Sequence, residues 1–137
     1  MPDHNEIVRV IQQWVQKAEN DLKNATHTLK LGKEAPTDTV CFHAQQCIEK
    51  YLKALLVYED KDFSRTHYLS ALMDLLPANI RPDLSPEEQE LLTDYAVSAR
   101  YPGDWEPISL SEARRAVQVA RRIRKQIRDL LPPASLK

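Results

Sequence analysis

Three stretches of this 137-residue chain hold the side chains best suited to chemistry. The first is Phe42 to Val57, FHAQQCIEKYLKALLV, in which His43, Gln46, Lys50 and Lys53 recur at spacings of three, four and three. On an α-helix that spacing lines the four up as one polar stripe. The stripe could hold an anion or a polar partner, or it could be the solvated back of an amphipathic helix. Glu49 sits four residues before Lys53, the better orientation for a helical ion pair. The second stretch is Thr66-His67. An imidazole there could donate to a phosphate or carry a proton, or it could cap a helix. The third is Arg100-Tyr101-Pro102-Gly103-Asp104-Trp105, a cation, two aromatics and a carboxylate beside a tight turn. Arg100 could grip a phosphate through two parallel hydrogen bonds while Tyr101 or Trp105 stacks on a base. In the other reading the aromatics plug a bundle end and Arg100 pairs with a carboxylate.

Other chemistries find no footing. There is no GxSxG elbow, no glycine-rich phosphate loop and no HExxH pair. Cys41 and Cys47 are six apart, about 240° around a helix, so they face different ways and cannot bridge. Neither has metal-site spacing. Cys41 reads as a small buried hydrophobe and Cys47 as a semi-exposed thiol. Glu87-Glu88 is accounted for by the electrostatics of a helix start, and His4 and His27 look incidental.

Helices must position these groups. Apolar residues keep helical spacing in several segments, no stretch alternates as a strand, and both glycines and all nine prolines fall at breaks or ends. The first helix runs from about Asn5 to Leu31, with Ile7, Ile11, Trp14, Ala18, Leu22, Ala25 and Leu29 inward and Gly32 as its stop. Pro36-Thr37-Asp38 starts the second, which runs to about Glu59. Its apolar face is Cys41, Ala44, Ile48, Tyr51, Leu52 and Leu55. Thr66 can cap a short third helix with Leu69, Leu72, Met73, Leu75 and Leu76 inward. Ser85-Pro86-Glu87-Glu88 opens the fourth with an N-cap serine, a first-turn proline and a capping-box glutamate. Ser109 and Glu112 form another capping box, opening the fifth, whose stripe is Ala113, Ala116, Ala120, Ile123, Ile127 and Leu130. The expected architecture is all-α: an antiparallel bundle of about five helices, three long and two short.

Length and composition fit one domain spanning residues 1–137. No apolar run has membrane length and the start lacks an apolar leader core, so a cytoplasmic, membrane-free protein is expected. The net charge of −1 hides a split: residues 109–137 carry +6 and residues 1–108 carry −7. Such a split marks either an anionic partner or complementary faces within the fold or a dimer, with the second reading somewhat ahead because the arginines flank an apolar stripe.

Ala44-Gln45-Gln46, Glu49-Lys50, Leu52-Lys53-Ala54-Leu55-Leu56, Thr66-His67, Leu69 and Ala99-Arg100-Tyr101-Pro102, in that order, resemble the HEPN (higher eukaryotes and prokaryotes nucleotide-binding) domain family. The likeness covers residues 40–131, leaving 132–137 as a short tail. It implies a HEPN-like helical bundle, a homodimer, and a cleft near His67, Arg100 and Tyr101 that binds a nucleotide or RNA phosphate. Lys50 and Lys53 join that site, with His43, Gln46, Asp104 and Trp105 as additional contacts. No catalytic residue, metal or cofactor is assigned. The implied partner is a minimal nucleotidyltransferase, in a toxin–antitoxin or stress-response pair. The family's RNase subset carries an Arg-x4-6-His motif acting on the 2′-hydroxyl and phosphate of RNA. Counting from Arg100, the histidine would fall on Trp105, Glu106 or Pro107, so cleavage by that route is not expected. The AMP-modified tyrosine of related pairs does not carry over to Tyr68 or Tyr101. Two alternatives stand beside this reading: an RNase toxin in which His67 and Arg100 converge, and a non-catalytic dimeric scaffold assembled through Lys50, Lys53 and the basic last helix.

Overall fold

The computed structural model describes residues 3–97 and 107–137. Among them are five α-helices and no strand: α1 (His4–Leu29), α2 (Thr37–Tyr58), α3 (Leu69–Leu75), α4 (Pro86–Val97) and α5 (Leu110–Arg128). Three starts, those of α1, α4 and α5, have a local cap. The Asp3 carboxylate accepts from the Glu6 backbone N–H at 2.9 Å, and the Ser85 hydroxyl and Glu88 carboxylate exchange both bonds of a capping box. At α5 only half of the expected box forms. Ser109 accepts from the Glu112 N–H at 3.0 Å, while the Glu112 carboxylate goes to the Tyr95 hydroxyl. α1 ends at Leu29, and Gly32 follows at φ +60°, which favours a residue without a Cβ. α2 closes through Asp60 at φ +57°, with the Lys61 N–H donating back to the Leu56 carbonyl at 2.9 Å.

α2 lies at the centre. Most of it from Val40 to Leu56 is buried, with α1, α5, α4 and α3 packed around it. α1 runs antiparallel to it, as the pairs Asp21–His43, Glu19–Tyr51 and Trp14–Lys53 show. α5 runs antiparallel to α1 and therefore beside α2 in the same direction; the return is made by α3 and α4. Ala113, Ala116 and Ala120 are buried on α5, and their small side chains let its backbone approach α2 closely.

Several details differ from the pattern in the sequence. Thr66 does not cap α3. Its hydroxyl accepts from Tyr68 N–H at 3.1 Å, and the Leu69 N–H is met by the Thr93 hydroxyl of α4, also at 3.1 Å. Leu75 is exposed, and Leu131 rather than Leu130 enters the core because α5 ends at Arg128 and the chain turns. Cys47 is buried like Cys41, since α2 is enclosed on both sides. Residues 133–136 form a 3₁₀ turn folded back onto α1, where Gln12 donates to the Ala134 carbonyl at 2.9 Å and Ser135 is buried.

Candidate functional site

The polar stripe of α2 is neither solvated nor open to an anion along its length. Gln46 and Lys53 are buried, and every member of the stripe has a partner inside the fold. The hub is Glu49, 3% exposed, the residue that the sequence marked only as an ion-pair partner of Lys53. Its Oε1 accepts from Gln45 Nε2 at 3.0 Å and pairs with His67 Nδ1 at 2.9 Å; its Oε2 pairs with Lys53 Nζ at 3.0 Å. Gln46 donates to Gln45 Oε1 at 2.7 Å and lies 3.4 Å from Glu49. The Lys53 ammonium also sits 5.4 Å from the Trp14 ring centroid and 5.9 Å from that of Phe63, so aromatic faces supply the rest of its solvation. Burial acts to raise the Glu49 pKa, but hydrogen bonds from Gln45, His67 and Lys53, with the Lys53 charge, outweigh it and hold the carboxyl below its ordinary value.

One member of this cluster reaches solvent. The His67 side chain is 56% exposed. Glu49 is an ionised acceptor, so the proton of the neutral ring sits on Nδ1 and Nε2 carries the lone pair. A buried carboxylate thus fixes the tautomer and orientation of an accessible imidazole, which can accept a proton or, once protonated, donate to a phosphate oxygen.

The other half of the stripe is used structurally. Asp21 of α1 receives His43 Nδ1 at 2.8 Å on Oδ1 and Lys50 Nζ at 2.5 Å on Oδ2. Lys50 and Lys53 were expected to contact a nucleotide or phosphate; each already faces a carboxylate, which removes the reason for either to point at a ligand. Lys53 is buried and so offers no docking face. Asp21 escaped attention although a signal was present: it falls between Ala18 and Ala25 on the apolar stripe of α1, where a carboxylate needs a cationic partner. Arg100, Tyr101, Asp104 and Trp105 lie outside the described residues. His67 is therefore the one expected site residue that the described structure leaves directed at solvent from an ordered support.

A HEPN domain model matches residues 11–130. The chain belongs to the HEPN family. The match takes in α1 from Ile11 onward, further toward the start than the segments from residue 40 on which the resemblance rested. The HEPN fold extends to solved structures. TT1696 from Thermus thermophilus is 26% identical, with a TM-score of 0.73 over 88% of this chain and 98% of that one. ST0689, an archaeal HEPN homologue, is also 26% identical, with a TM-score of 0.68 over 88% of this chain and 96% of that one. No curated protein matches the sequence. Among the described residues of this HEPN chain, no helix is long and apolar enough to cross a membrane, and no group of three or more His, Cys, Asp or Glu is placed to hold a metal ion.

Proposed function

We propose that this HEPN protein binds a nucleotide or RNA phosphate at a site centred on His67. In this reading it is a cytoplasmic homodimer acting with a minimal nucleotidyltransferase, in a toxin–antitoxin or stress-response pair. The observation that carries the binding site is the exposed His67 imidazole held by the buried Glu49 carboxylate. A histidine that only capped α3 would need no such support, and α3 is capped by Thr93 instead. Family membership supports the nucleotide and the paired partner. Exposed Phe42 and Leu91 supply apolar surface for a second copy.

Titration of the purified chain with a nucleotide panel and a short single-stranded RNA, by calorimetry and by gel, tests this. Binding with intact RNA, weakened at least tenfold in His67→Ala, is the expected result. Binding that is equal in the variant removes His67 from the site. The oriented imidazole also favours a second reading, in which His67 Nε2 takes the 2′-hydroxyl proton of RNA. RNA cleavage abolished by both His67→Ala and Arg100→Ala would establish it in place of simple binding.

A further inference from the structure

A cleft of about 430 Å³ opens between α1 and α5, away from His67. On the helical wheel Lys23 lies about 160° from Asp21, so the cleft occupies the opposite flank of α1 from the Asp21–His43–Lys50 cluster. Lys23, His27, Lys30, Arg121 and Arg124 line it, with Glu19 as its carboxylate. That carboxylate is fully engaged: Arg124 donates to its two oxygens at 2.8 Å each, and the Tyr51 hydroxyl donates at 2.7 Å. Arg124 therefore closes one end of the cleft as a fixed, neutralised pair. Lys23, His27, Lys30 and Arg121 make no ion pair with any described residue; Arg121 reaches only the Thr26 hydroxyl, at 3.4 Å.

A helix C-terminus accounts for His27 and Lys30, which lie in the last turn of α1 and at its cap. It does not account for Lys23, a turn further in, or for Arg121 on a different helix. Lys23, His27 and Lys30 follow at spacings of four and three, a row about 10 Å long with a lysine at each end and an imidazole donor between them. Across the cleft, Arg114 lies two turns before Arg121 on the same face of α5 and continues the positive edge; it is exposed and makes no ion pair with a described residue. A single phosphate needs two or three donors converging on a point, whereas a row of this length suits successive phosphates. Among the described residues no Phe, Tyr or Trp lines the cleft, so they offer no stacking platform for bases. We propose that the α1–α5 cleft binds the phosphodiester backbone of a single nucleic-acid strand, reading its charge and not its bases.

The test is fluorescence anisotropy on the full chain with labelled oligouridine and oligoadenosine strands of about a dozen nucleotides, over a salt series. Both strands should bind with similar affinity. The variant K23Q/K30Q/R121Q should bind at least tenfold more weakly, and the slope of log affinity against log salt should fall by about 2, since each phosphate contact on a single strand contributes about 0.7. These side chains are exposed, and an unchanged circular dichroism spectrum and melting curve will show that the variant folds. His67→Ala should lower the slope by no more than one contact, about 0.7, and should leave the further loss caused by K23Q/K30Q/R121Q intact, which separates this cleft from the His67 site. Strand binding lost in His67→Ala but retained in the triple variant would overturn the cleft and leave the earlier proposal standing. Failure of both strands to bind, strong preference for one base, or displacement by inorganic tripolyphosphate as effective as by the strand would each overturn it too.

Discussion

At the scale of single residues, Glu49 decides both structure and chemistry. It is buried, ionised and shared among Gln45, Lys53 and His67. Removing one partner of a buried ion pair leaves the other charge without compensation, at a cost of about 3–5 kcal/mol. Glu49→Gln should therefore lower stability to urea by about that amount, since Lys53 would stay buried against Trp14 and Phe63 with its charge unmatched. Replacing the pair together, Glu49→Gln with Lys53→Met, should recover most of the loss. A single variant within about 1 kcal/mol of the parent would show that water or backbone groups already compensate Lys53. The sequence made part of this legible. His67 and the Glu49–Lys53 spacing were both visible as candidates. That Lys53 points inward was not, because a helical wheel shows which residues share a face but not how many neighbours enclose the helix. Lys53 reads as solvated only if α2 has a free side, and α2 has almost none.

The elements were legible where local chemistry sets them. Glycine, proline and the Ser-x-x-Glu boxes mark the breaks apart from the one between α2 and α3, where residues 59–68 hold neither glycine nor proline, and the apolar spacing gives five helices with ends close to those found. Elements that depend on a distant partner were not. The α3 start is capped from α4 by Thr93, twenty-four residues on, which no local pattern announces. The final residues look like a tail because Pro132-Pro133 ends a helix, yet Leu136 packs against the core and Ser135 is buried on α1. A chain ending at Pro132 should accordingly be less stable by about 1–2 kcal/mol, the worth of a partly buried leucine plus the Gln12–Ala134 bond. Thermal melting of the shortened chain checks this, with Leu136→Ala expected to reproduce about half the loss. An unchanged melting temperature would make the turn a surface feature after all.

Across the whole molecule, the charge split that the sequence left between a partner and the fold itself is answered largely within the fold. Arg124 and Arg128 meet Glu19, and Arg122 meets Glu88 and Asp83. These contacts bind α5 to α1 and α4, and they make stability depend on carboxylates staying ionised. Burial raises the pKa of Glu19, Glu49 and Glu88, but hydrogen bonds and neighbouring cations outweigh it, so all three lie below the ordinary carboxylate value in the folded protein. In the unfolded chain they titrate near 4.3. Between the two values the unfolded state binds more protons, so stability rises with pH there and is lost as pH falls. Urea midpoints should be nearly level from pH 7 to about 5 and should drop steeply below about 4.5, as the unfolded-state carboxylates take up protons. Glu49→Gln should flatten part of that drop, because one of the depressed groups no longer titrates. A fall centred between about pH 6 and 7 would instead show that groups other than these three carboxylates govern the linkage.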